Sequence, residues 1–154
     1  LRTLTGPEMT PHQIQLVQST YSAVKPIAAT AAELFYNRLF ALDPALRPLF
    51  KGEMQKQGQM LMSMIGSAVQ GLSNLERLVP IVRQLGARHV GYGVRTEHYA
   101  VVGSALLWTL ERGLGETYTP EVNEAWASAY SLLADVMQLG AIEEAAAEEA
   151  AALA

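Results

Sequence analysis

His89 sits in the stretch LGARHVGYGV, Leu85 to Val94, between an apolar helical pattern and a glycine-rich break. An imidazole there can ligate a metal, move a proton or fill a polar niche at a helix end. Two other histidines compete for any such role. His12 falls in the first turn of the first helix that the pattern predicts, and His98 lies past the glycine turn, near the start of a later one. Both read better as polar surface groups. The chain has no cysteine, which removes thiolate metal sites, Fe–S clusters, disulfides and cysteine nucleophiles together and fits a reducing, cytoplasmic setting. Neither a phosphate-binding loop, an H-E-x-x-H zinc motif nor a G-x-S-x-G elbow occurs. A lone histidine on a half-apolar helix is more often a packed or surface residue than a ligand, so spacing alone leaves His89 open between the two.

The elements that must position it read as helices, with no alternating strand pattern, and the chain is expected to be all-α. Thr10-Pro11-His12-Gln13 is a capping box that starts a helix with Ile14, Val17, Tyr21 and Val24 on its apolar face, ended by Pro26. A second helix is predicted from about Ile27 to Leu42. Asp43-Pro44 caps a short third one leading to Leu49 and Phe50. A methionine-rich helix follows from about Met54 to Leu72, then one that ends at His89. The last two run from about Thr96 to Leu114 and from the Thr119-Pro120 cap, burying Val122, Trp126, Tyr130, Leu133 and Met137.

The 154 residues suffice for one core. We expect a domain over residues 10–140, a short arm over 1–9 and an Ala/Glu-rich extension over 141–154, solvated or frayed because it has little to bury. Eleven basic and fifteen acidic side chains, net charge −4, supply no footprint for nucleic acid. No apolar run is long enough to span a membrane, and the N-terminus has no signal-peptide pattern.

Several stretches resemble the globin family across about Thr10 to Gln138: LFYNRLFALDP (34–44), Leu49-Phe50, LMSMIGSAVQGL (61–72), LGARHVGYGV, EHYAVVGSALL (97–107) and AWASAY (125–130). Among globins the likeness is to bacterial single-domain globins and the globin domain of flavohaemoglobins, more distantly to neuroglobin. The resemblance implies a globin fold, helices packed three-on-three around a haem pocket, with haem b as cofactor and His89 as the proximal ligand of its iron. It implies that Phe50 packs on the haem, that Leu85, Val94 and Tyr99 line its proximal and lateral sides, and that Leu61 roofs the ligand with Val102 and Met64 completing the wall. At the distal position, where vertebrate carriers and neuroglobin have a histidine, it places Gln57. Tyr36 would aim its phenol at the sixth coordination site, and the two together would donate to bound oxygen.

The likeness to flavohaemoglobins breaks at one point. They set a glutamate of the last helix and a tyrosine, here Tyr99, against the proximal histidine. Counted from Trp126, the acid's position holds Ala141, with Glu143 and Glu144 in another register. That implies a weaker electron push toward iron and no strong peroxidase-like cleavage. The chain also ends before a flavin- or nicotinamide-binding domain begins, which implies a separate reductase.

The expected function is a gas-binding haem protein for O2, NO and CO, with high oxygen affinity and nitric oxide dioxygenase chemistry in which Tyr36 and Gln57 act. Its alternatives are oxygen storage, delivery or sensing without turnover, and a haem-free interaction module in which His89 merely packs. A monomer or weak homodimer is expected, and the lack of Leu or Ile at heptad spacing in the tail speaks against a coiled coil.

Overall fold

In a computed structural model the described residues are 9–91 and 94–153. Most of the expected N-terminal arm, and Tyr92 and Gly93 of the glycine turn, lie outside them. Among the described residues six α-helices carry the fold: α1 (Pro11–Val24), α2 (Ala28–Leu42), α3 (Met54–Gly71), α4 (Leu75–Gly91), α5 (His98–Leu114) and α6 (Pro120–Leu153). Among the described residues there is no strand. No helix of them is long and apolar enough to cross a membrane.

Local chemistry sets the boundaries. Thr10 Oγ1 accepts from the Gln13 backbone N–H at 3.1 Å, and Gln13 Oε1 accepts from the Thr10 N–H at 3.1 Å, so two of the orphan donors at the start of α1 are satisfied. At its other end Lys25-Pro26-Ile27 tightens into a 3-10 turn, since Pro26 offers no N–H for a further helical bond. The predicted short third helix is also a 3-10 turn, Pro44–Leu49, capped by Asp43, whose carboxylate accepts from the Ala45 N–H at 3.2 Å. Helix α5 begins at His98, two residues later than its pattern suggested, because the Arg95 N–H is held by His98 Nδ1 at 2.9 Å and Thr96-Glu97 form a turn. At α6, Thr119 Oγ1 accepts from the Val122 N–H at 3.2 Å.

The core joins α1, α5 and α6. Val17, Tyr21 and Val24 pack with Leu110, Val122, Ala125, Trp126 and Ala129. The buried Trp126 Nε1–H donates to Thr20 Oγ1 at 2.8 Å, so the largest core ring brings no unsatisfied polar atom with it. Helix α4 packs along α6, α2 along α5, α1 on α6 and α2 on α3. Tyr130, Leu133 and Met137, expected to be buried, are only partly so. Helix α6 runs on without a break through the Ala/Glu-rich segment, whose high helix propensity needs no packing partner to bridge these few turns. Residues 145–153 are all exposed.

Candidate functional site

Two helices meet at a corner that gathers most of the distal candidates. Tyr36 is buried on α2 in a cluster with Phe35, Leu39, Leu46 and Ala105, and Phe50, Leu61 and Val102 pack against it. The α2 register explains this, since Phe35, Tyr36 and Leu39 fall on one face at helical spacing. Aromatic rings surround the phenol. The ring of Phe35 lies 5.1 Å from that of Tyr36, Phe50 5.3 Å and Phe40 5.9 Å, centroid to centroid. This dry environment pushes the Tyr36 pKa up to about 12, because the phenolate would lose its hydration. The hydroxyl therefore stays protonated, a donor at any ordinary pH.

Tyr36 Oη donates to the backbone carbonyl of Gln57 at 3.4 Å. The Gln57 side chain takes another direction: its Nε2 donates to the Lys51 carbonyl at 3.0 Å. That bond holds the corner between Phe50 and α3, where Gly52 adopts φ 89°, a backbone conformation that favours glycine. Phe50 is held from the other side, its carbonyl accepting from Arg47 Nη1 at 3.3 Å.

Leu61 lies half-buried on α3 one turn after Gln57. Behind it and Phe35 is an apolar cavity of about 20 Å³ bounded also by Ile65, Leu106 and Trp126. Met64, expected in the wall, is instead 41% exposed. The inward stripe of α3 runs through Leu61, Ile65 and Val69 in steps of four residues, which leaves Met64 on its flank. Met62 turns the other way into the main core, and its carbonyl accepts from Tyr21 Oη at 2.7 Å.

His89 is half-buried in the last turn of α4. Its Nδ1 lies 2.8 Å from the Leu85 carbonyl oxygen. Since a carbonyl only accepts, Nδ1 carries the proton and the ring is held in the tautomer with its lone pair at Nε2. Burial lowers the His89 pKa and the neighbouring Arg88 lowers it further, against the opposing effect of the Leu85 bond. The neutral ring is the form that binds iron. Val94 is half-buried where α4 ends, and its N–H donates to the His89 carbonyl at 3.2 Å. Of the rival histidines, His12 is exposed and paired with Glu121 at 3.2 Å, and His98 spends Nδ1 on the Arg95 N–H.

Tyr99 is buried on α5, and its buried hydroxyl has no hydrogen-bond partner among the described residues. Burial raises its pKa. Its carbonyl accepts from Tyr130 Oη at 2.6 Å. Tyr130, a core residue by its sequence pattern, is half-buried, and its phenol also ties α6 to the start of α5; Gly103 makes room for its ring, since an added Cβ there would lie 2.8 Å from it. The neutral imidazole at the end of α4, and separately the aromatic walls around a protonated phenol at the corner of α2 and α3, are groups of the kind that a large apolar macrocycle with a metal at its centre would need.

Comparison with known proteins identifies the family and the fold. The family model described as Globin matches residues 33–137. A flavohemoprotein of Bordetella parapertussis is 35% identical over 132 residues, 84% of this chain and 33% of that protein. One of Bacillus subtilis is 30% identical over 125 residues, 79% of this chain and 31% of that protein. The chain thus spans about a third of the length of these curated relatives. Among solved structures, a bacterial globin from Campylobacter jejuni superposes with a TM-score of 0.77 at 26% identity, covering 87% of this chain and 97% of that one. A carbene transferase engineered from a Rhodothermus marinus protein ascribed to the nitric oxide dioxygenases shares the fold at a TM-score of 0.79 and 24% identity, covering 94% of this chain and 99% of that one. With one family model covering more than half of the residues, from within α2 through α3, α4 and α5 into α6, the chain belongs to the globin family.

Proposed function

We propose that this globin is a haem protein that binds diatomic gases, with His89 as the residue that would hold the haem iron. The observation that carries the reading is the Nδ1–H bond from His89 to the Leu85 carbonyl at 2.8 Å, which orients a neutral imidazole with its donor lone pair at Nε2. Haem b, when bound, would supply an iron that holds the gas and exchanges electrons. The chain's own residues do the rest. Phe50, Leu61 and Val102 exclude water, Leu85, Val94 and Tyr99 pack the proximal and lateral sides, and Tyr36 keeps a proton on its phenol for a polar ligand such as O2. Gln57 supplies a second donor only if its amide leaves the Lys51 carbonyl.

The chemistry that this donor favours is nitric oxide dioxygenation: one O2, one NO and one electron give one nitrate. The electron comes from a reductase, the kind of partner that likeness to flavohemoproteins suggests. Oxygen storage without turnover is a second reading, favoured by the Tyr99 hydroxyl, which has no partner among the described residues, and by Ala141 in place of a carboxylate.

Two experiments test this. The purified protein shows a Soret band that His89→Ala abolishes with the helical circular dichroism intact; a band unchanged in His89→Ala refutes the assignment. Rapid mixing of the oxygen complex with NO then yields stoichiometric nitrate at a near-diffusional rate if the protein is a dioxygenase, and slow or no nitrate if it only stores oxygen.

A further inference from the structure

Most of the helical glycines that a neighbour crowds face side chains, but two face backbone. A Cβ at Gly71 would meet the Leu78 side chain, one at Gly66 the Tyr21 ring and one at Gly103 the Tyr130 ring. At Gly86 the place of a Cβ is taken by the Met137 carbonyl oxygen, and at Gly140 by the Arg83 carbonyl oxygen. The two contacts are reciprocal. Gly86 of α4 meets the residue three before Gly140 in α6, and Gly140 meets the residue three before Gly86, so the helices run antiparallel and touch main chain to main chain. One Cα–H of each glycine points at the opposite carbonyl, a weak attraction that recurs where helices approach this closely. Both glycines are buried. A rotamer change can make room for a methyl group beside a side chain; beside a carbonyl of a packed helix the whole helix must move.

This crossing lies one turn before His89. Gly86 follows Leu85, whose carbonyl holds the imidazole, so the contact with α6 sets the height of the same turn that orients the ring. We propose that Gly86 and Gly140 are positioning residues that lock α4 onto α6 and thereby fix His89 relative to the pocket. The inference rests on His89 being the axial ligand. In this chain α6 restrains the proximal helix through its backbone at Gly140, beside Ala141, and an Arg83–Glu143 ion pair at 3.2 Å lies on the exposed rim of the same seam.

The test uses the full-length ferrous haem protein and the iron–histidine stretching band in its resonance Raman spectrum. Gly86→Ala and Gly140→Ala each shift the band, whereas Gly66→Ala, which crowds Tyr21 on α1, leaves it in place. In the double variant the shift is smaller than the two single shifts combined, because a helix displaced by the first methyl group has already made room for the second. Thermal melting of the same variants gives their stability loss, so a band that follows the seam and not the loss of stability identifies positioning. Gly140 lies where α6 leaves the core, so Gly140→Ala decides the matter even where Gly86→Ala does not fold. A band lost in His89→Ala but unmoved in a folded Gly140→Ala overturns the lock and leaves the ligand assignment standing. A band that survives His89→Ala overturns both.

Discussion

Tyr36 and Gln57 are joined through the backbone: the phenol donates to the Gln57 carbonyl at 3.4 Å, while the Gln57 amide is turned to the Lys51 carbonyl. The two side chains therefore differ in readiness. A ligand in the pocket competes for the Tyr36 proton against one long, weak bond, whereas recruiting the Gln57 amide breaks a bond of 3.0 Å that ties down the Phe50 corner.

Tyr36→Phe removes one donor to a partly charged acceptor, a loss of about 1.5–3 kcal/mol, which is roughly 10- to 150-fold faster oxygen dissociation. Gln57→Leu acts in the same direction and by less. Carbon monoxide, being less polar when bound, responds little in either variant. Stopped-flow displacement of both gases checks this, and equal small effects in Tyr36→Phe would leave Tyr36 as packing.

The phenol also has a signature that needs no haem. Its pKa stands at about 12 in the folded protein against 10.0 in a free tyrosine, so above pH 10 the unfolded chain loses this proton first. The stability it contributes is full below pH 10 and is lost as pH rises through about 12. Tyr36→Phe flattens that alkaline fall in urea unfolding curves followed by tryptophan fluorescence. An unchanged slope argues against a desolvated phenol.

His89 predicts the opposite end of the pH scale. Burial lowers its pKa below the ordinary 6.5, so the unfolded chain binds its proton first as pH falls. The contribution is whole above pH 6.5 and disappears as pH drops through the lowered value. Apo-protein carrying His89→Gln loses less stability than wild type across that window; an identical acid limb would mean that the ring is not desolvated.

Thr20 is the support of Trp126. Thr20→Val keeps the shape and strands the indole N–H in the core, at a cost of about 1–3 kcal/mol, read as a lowered urea midpoint with an unchanged m-value. A midpoint equal to wild type would mean that the 2.8 Å bond is replaced at no cost.

The sequence by itself determined most of the helices and their starts, α5 excepted, because caps and periodicity are local: Thr10 with Gln13, Asp43 with Ala45 and Thr119 with Val122 bond as their order along the chain implies. It also brought out His89 and the Phe50 corner, through motifs whose residues are neighbours in the chain. What only the tertiary structure decided depends on which face meets which. Met64 and Leu61 are equally apolar in sequence, and only the packing of α3 turns one outward. The direction of the Gln57 amide depends on Lys51 across a bend. The backbone contact of Gly86 with Met137 and of Gly140 with Arg83 joins residues about fifty positions apart, and a glycine reveals such a partner only when the second helix is in place, since hydrogen is small enough to fit anywhere and its necessity comes from the neighbour.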